Sequence, residues 1–265
     1  MLLLDSGNFS DNPTAAGERK TRGLLQAMDR LGYRAVNVGE RDIRMGYAEF
    51  ARRTEGSPFT YLSANIIDRK TEKPIFTPHT VVEAVSPDGE KTVRVGVIGA
   101  VRYNPLFLKA GPDGGSIVID HPMERVRQEM EALREKNVDV VVLLAALHKN
   151  DAKSIARAVP GIDYILGSYG GLVTRGAEQE GDTTLLYCGN KGQRLGESRV
   201  FLETGQATKI AGRFNKLHML SHHYPSDRAM VDFVNSLRPE KPATTAPAGS
   251  SRAAEPSSGT VRSGF

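Results

Sequence analysis

The chain has 265 residues, 39% hydrophobic and 25% charged, the composition of an ordinary globular protein with room for one large domain or two small ones. Its 35 Lys+Arg exceed 31 Asp+Glu by +4, and no basic run is interleaved with aromatics, so nucleic acid is not an expected partner. A single cysteine, Cys188, excludes an internal disulfide framework and a Cys-rich zinc site, and no apolar run reaches the ~18 residues needed to span a bilayer.

Met1-Leu2-Leu3-Leu4 is a short apolar run closed by Asp5-Ser6-Gly7-Asn8, a strand ending in a polar loop and too short for a signal peptide. Leu24, Leu25, Met28 and Leu31 repeat at helical spacing, and Gly32 stops that helix. Ala35 to Val38 is the next strand, ending at Gly39. Strands follow at Tyr61–Asn65, Thr80–Val82 and Val93–Ile98. Asp120 is placed to cap a helix with Pro122 in its first turn, carried by Met123, Val126, Met130 and Leu133. Val138 to Leu144 is the most apolar strand, of the kind buried on both faces. A helix from about Asp151 to Val159 leads to Tyr164-Ile165-Leu166, then to hairpin-like strands around Leu185, Leu186, Val200 and Phe201. Ser226 is placed to cap a last amphipathic helix through Met230, Phe233, Val234 and Leu237. The order of strands, loops and helices predicts one α/β domain over 1–237. The Pro/Ala/Ser/Gly-rich segment 238–265 lacks core-forming residues and reads as a disordered tail.

An ordered series of stretches resembles the catalytic domain of the bacterial 5'-nucleotidase family, within the calcineurin-like metallophosphoesterases. Leu2-Leu3-Leu4-Asp5-Ser6-Gly7-Asn8-Phe9 is similar to that family's Leu-Leu-Asp-Ala-Gly-Asp-Phe strand and loop. Leu31 to Gly39 resembles the approach to its Gly-Asn-His-Glu loop. Leu62-Ser63-Ala64-Asn65, Lys73-Pro74-Ile75-Phe76 and Val95 to Gly99 match its middle region. Val159-Pro160-Gly161-Ile162-Asp163 leads to the position of its Gly-His-x-His loop. Gly189, Gly192 and Leu195-Gly196 match the strand turn that follows. Tyr224-Pro225-Ser226-Asp227 resembles the segment that leads to a second, substrate-binding domain. The resemblance implies a β-sandwich flanked by helices, with two divalent metals on loops at one edge and export to the periplasm. It also implies a further strand bearing Asp-x-His ahead of Met1. We therefore expect a natural start upstream, and poor expression or aggregation of the 265-residue form.

The chemistry of such a centre needs a bridging carboxylate, neutral imidazoles and a histidine beside the leaving oxygen. Carried over position by position, the resemblance puts Asn8 where the bridging aspartate belongs and Glu40 where the metal-binding asparagine belongs. It puts Arg41 where the catalytic histidine belongs, Ala146 at the Ser-His histidine, and Ser168 and Gly170 at the two Gly-His-x-His histidines. An arginine cannot give up a proton at ordinary pH. The expectation is a catalytically degenerate domain that acts by binding or within a larger protein, with no required cofactor.

Two alternatives stay open. His148, with Glu40 or Asp42, could rebuild a single-metal site and a phosphoester (nucleotide) hydrolase around it. Arg41, with Ser168 and Tyr169 across the cleft, could instead hold a small anionic or nucleotide ligand without metal, because guanidinium matches phosphate geometry. Cys188 reads as a buried, inert thiol, and His222-His223 as surface residues.

Overall fold

The computed structural model describes residues 1–86, 89–104, 115–204 and 208–238. In chain order the elements are β1 (Leu3–Asp5), α1 (Ala15–Leu31), β2 (Tyr33–Asn37), α2 (Tyr47–Thr54), β3 (Thr60–Leu62), β4 (Ile66–Asp68), β5 (His79–Val85) and β6 (Thr92–Val101). They continue with β7 (Ile117–Ile119), α3 (Pro122–Arg134), β8 (Val140–Ala146), α4 (Lys149–Ala158), β9 (Tyr164–Gly167), β10 (Glu178–Glu180), β11 (Thr183–Tyr187), β12 (Arg194–Thr204), β13 (Thr208–Met219) and α5 (Arg228–Ser236). The expected tail from 239 onward lies outside the described residues, and no helix among those described is long and apolar enough to cross a membrane.

Alternation along β8 explains the layering. Val141, Leu143 and Ala145 face one way and join Val126, Met130 and Leu133 of α3 and Ala152 and Ile155 of α4 in one core. Val140, Val142 and Leu144 face the other way and meet Ala35 and Leu62 from the second sheet. The six-stranded sheet, order β10-β11-β9-β8-β6-β5, therefore stacks on the three-stranded sheet β1-β2-β3. Leu25 and Met28 of α1 cover the outer side of the smaller sheet against Val36 and Phe59. The expected helix-flanked β-sandwich is present, and β8 is buried on both faces as its apolar run requires.

Local chemistry sets most boundaries. Thr14 caps α1 by accepting from Gly17 N, and Gly32 closes it with φ 79°, a left-handed conformation that favours glycine. Two expected caps move by one residue: His121, not Asp120, precedes Pro122, and Asp227, not Ser226, accepts from Met230 N at 2.8 Å. Asp120 instead pairs with Arg125 at 3.0 Å. Helix α2, strands β4, β7 and β10, and the full length of the β12–β13 hairpin have no counterpart in the sequence reading.

Asn65 stitches three of these pieces together. Its buried amide donates to Val101 O at 2.7 Å and Asp120 O at 2.8 Å and accepts from Val101 N at 2.9 Å. Replacing it by alanine strands three backbone groups in the interior, each costing about 1–3 kcal/mol. Asn65→Ala is expected to lower unfolding free energy by about 3 kcal/mol or more in urea titration; a loss under ~1 kcal/mol would mean that the amide is dispensable.

Candidate functional site

Loops after the carboxyl ends of β1, β2, β6, β8 and β9 converge at one end of the sandwich, where α/β folds present their sites. Asp42 organises the floor. Its buried carboxylate accepts backbone N–H bonds from Asn8 at 2.7 Å, Ser10 at 2.8 Å and Gly39 at 2.8 Å. Two chain segments more than thirty residues apart are thereby pinned to one side chain. Burial pushes this carboxyl upward, and the three backbone donors pull it back toward the ionised form. Both oxygens, expected as candidate metal ligands, carry protein hydrogen bonds.

Asn8 stands at φ 65° directly after Gly7 at φ 90°. That paired left-handed turn brings Gly7 so near β2 that an added Cβ would lie 2.6 Å from Asn37 O. The Asn8 amide oxygen accepts from Arg41 N at 3.0 Å and fixes the Glu40–Arg41 loop. Ser168 donates to Ser6 O at 2.7 Å, and Ser6 donates to Leu166 O at 2.7 Å, a reciprocal pair that ties β1 to β9. Gly170 and Gly171 (φ 57° and 74°) form the tight turn closed by Leu172 N to Tyr169 O at 3.0 Å. Ala146 is buried in the cluster of Val38, Phe50, Ile66 and Val101 beneath the loops.

Above this floor lies a chain of polar and aromatic side chains. Glu40 accepts from Arg102 at 3.1 Å and from the Asn104 amide at 3.2 Å. The Arg102 guanidinium stands 5.4 Å from the Tyr169 ring centroid, and its buried Nε has no hydrogen-bond partner. His148 packs on the other partner of this pair, its ring centroid 3.8 Å from that of Tyr169. Arg41 is exposed, and its charge helps to hold the Asp11 carboxyl below the ordinary range, after Asn12 and Lys20. Glu40, Arg102, Tyr169 and His148 are thus gathered into one cluster, whereas Ser168, Asn8 and Asp42 serve the floor. Among the described residues no group of three or more His, Cys, Asp or Glu side chains is placed to hold a metal ion. Arg102 and Asn104 were not singled out from sequence; the only available signal was their place directly after an apolar strand. Cys188 is exposed rather than buried, although desolvation and the nearby Asp5 keep its thiol above the usual value.

Asp5 is the other acid of the floor. Burial pushes its carboxyl up to about 6, opposed by the Gly7 N–H bond at 2.8 Å and reinforced by Asp42.

No family model matches the chain. It is similar over 185 residues to the 2',3'-cyclic-nucleotide 2'-phosphodiesterase/3'-nucleotidase of Salmonella typhimurium, at 28% identity, covering 62% of this chain and 29% of that protein. It is also similar to the rat 5'-nucleotidase, at 26% identity over 195 residues, covering 72% of this chain and 30% of that protein. The matched stretch therefore spans less than a third of these relatives. Among solved structures, the calcineurin-like phosphoesterase YfkN from Bacillus subtilis superposes with a TM-score of 0.77 at 19% identity, covering 89% of this chain and 82% of that one. The 5'-nucleotidase precursor from Thermus thermophilus superposes with a TM-score of 0.75 at 19% identity, covering 89% and 48%.

The raised Asp5 carboxyl gives a pH test. Because the folded value of about 6 lies above the ordinary 3.8, the associated stability is fully present below about pH 4 and is lost as pH rises through 6. Asp5→Asn keeps an acceptor for Gly7 N but carries no charge. Its stability relative to the parent is expected to rise by on the order of 1–2 kcal/mol between pH 4 and 7, read from urea midpoints. A difference that stays flat across that range would refute the assignment.

Proposed function

We propose that this chain, a calcineurin-like phosphoesterase fold of the 5'-nucleotidase kind, acts as a metal-independent binding domain for a small anionic ligand, nucleotides included, and does not hydrolyse phosphoesters. The observation that carries this reading is the state of Glu40. Its carboxylate is already held by Arg102 and Asn104, so a cation entering there would have to displace a guanidinium at 3.1 Å. The other positions of a two-metal centre support it. Asn8 and Ser168 spend their polar atoms on backbone groups, Ala146 lies in the core, and Gly170 has no side chain. Two dications need carboxylate charge and imidazole nitrogen that these residues do not supply.

An anion fits the same place better. Arg102 presents a guanidinium whose side chain is 29% exposed, and the exposed Arg41 adds a second positive charge on the adjoining loop. A phosphate is matched by the planar fork of donors, and the Tyr169 and His148 rings, tilted 55° to one another, offer aromatic contact for the remainder of the ligand. Arg41 and Tyr169 are ligand-contacting residues in this reading, while Ser168 shapes the loop that carries Tyr169.

The test is calorimetric titration of the full chain with inorganic phosphate and with adenosine monophosphate in the presence of EDTA. Binding is expected without metal, and Arg102→Ala should weaken it by at least tenfold, the loss of one charge-assisted pair. Release of phosphate from nucleotides or a generic phosphomonoester is expected to stay at the blank level with manganese, zinc or cobalt added. Metal-dependent turnover that disappears in Glu40→Ala or His148→Ala would overturn the proposal in favour of a rebuilt metal site.

A further inference from the structure

We infer that the outer face of the β12–β13 hairpin is a self-complementary surface on which a second copy of this chain docks. The hairpin is a two-stranded sheet whose strands pair only with each other. Val200, Leu202 and Ile210 turn inward and pack on the sandwich core, and Arg213 reaches Asp163 at 3.3 Å. Strand alternation then sends the other set of residues outward. Phe201 is 57% exposed and Phe214 47% exposed, two aromatic rings with no apolar cover near the centre of a ribbon.

The cross-strand register gives this face its complementarity. Glu197 lies opposite Lys216, Arg199 opposite Phe214, and Phe201 opposite Gly212; past an irregularity after Phe201, Glu203 lies opposite Lys209. Each flank thus sets an acid opposite a base, the Glu197 carboxylate being held within the chain by Arg199 and His218 at 2.6 Å each, and the centre sets a cation opposite a ring and a large side chain opposite none. The Arg199 guanidinium already stands 5.8 Å from the Phe214 centroid within one chain. Now place two hairpins face to face about a two-fold axis parallel to the strands. Every residue then meets the partner's copy of its own cross-strand neighbour. Glutamates meet lysines at both ends, Arg199 meets a phenylalanine ring, and Phe201 faces the space over a glycine. A two-fold axis across the strands would instead oppose glutamate to glutamate and lysine to lysine. Charge therefore selects one of the two arrangements, as isologous interfaces require.

The ribbon is roughly 30 Å long and about 10 Å wide, well below the ~800 Å² per partner of a standard interface. The dimer is accordingly weak and concentration-dependent. Its occupancy is set by two phenylalanines, and its register by four charges.

Sedimentation of the full chain from about 10 to about 500 μM should show a reversible rise toward dimer mass, which Phe201→Ser with Phe214→Ser removes. Two charge variants make the test specific. E197K/E203K, with a basic face, and K209E/K216E, with acids at all four flanking positions around Arg199, are each expected to remain monomeric and to form a 1:1 heterodimer on mixing. Thermal melts of the separate variants confirm that they are folded. A parent chain that stays monomeric throughout would overturn the inference and leave this face to a different partner. So would a dimer indifferent to both charge variants, or folded charge variants that fail to associate when mixed.

Discussion

Everything at the loop end of this sandwich depends on one buried carboxylate with three backbone donors. Asp42 sits where a charged group is costly, and Asn8, Ser10 and Gly39 hold its oxygens at 2.7–2.8 Å. The segments that deliver those donors are the loop after β1 and the loop after β2. Without a common acceptor, each would leave inward-pointing N–H groups beside an unsealed core. With it, the Gly7–Asn8 turn and the Gly39–Asp42 turn become one rigid platform, and Asn8 can reach across to Arg41 N. Ser6 and Ser168 extend the same logic to β9, which lies in the other sheet. The platform is held by hydrogen bonds between these side chains and fixed backbone atoms.

That bookkeeping separates two roles that a sequence comparison alone merges. In the sequence, Asn8 stands at a replaced metal position, Asp42 is a candidate metal ligand and Ser168 a candidate for holding an anion. In the fold, the Asn8 amide oxygen, the Asp42 carboxylate and the Ser168 hydroxyl are bonded to the main chain, whereas the side chains of Glu40, Arg102, Tyr169 and His148 form a contact chain of their own. The platform sets where the loops are, and the second group determines what they present. In the binding role proposed above, an incoming anion would take over part of the Arg102 charge that Glu40 now holds.

Much of the architecture was legible in the chain. The apolar stretch Val138 to Leu144 was legible as a doubly buried strand, found as β8 over Val140–Ala146, and Gly32 and Pro122 marked helix ends by backbone chemistry that holds in any context. The misses have a common origin. β4 and β7 are three-residue strands defined by pairing with each other across some fifty residues, and no local pattern encodes a partner at that distance. Arg102 escaped for a similar reason. Its significance comes from Glu40, 62 positions earlier, and from Tyr169, 67 positions later, and an arginine after a strand is ordinary until those neighbours are known. For Asp42 the sequence supplies the carboxylate but not the three N–H groups that surround it in the fold. The cap shifts from Asp120 to His121 and from Ser226 to Asp227 are one-residue adjustments within the usual scatter of helix starts.

Charge on the floor also bears on the cleft above. Desolvation pushes the Asp5 carboxyl up to about 6, with Asp42 reinforcing the rise, so above that pH Asp5 adds a negative charge beneath a site proposed for anions. Protonating Asp5 removes that charge. Linkage requires the converse as well: an anion bound above must favour the protonated form of Asp5 and raise its carboxyl further. Affinity for inorganic phosphate should therefore increase as pH falls from 7 to 5.5, beyond what the titration of phosphate itself predicts, and Asp5→Asn should remove that excess while keeping the tighter binding at both pH values. Calorimetry across that range on the parent and on the variant measures it directly. An excess that survives in Asp5→Asn would place the responsible proton elsewhere, and an affinity independent of pH in the parent would separate the floor from the cleft.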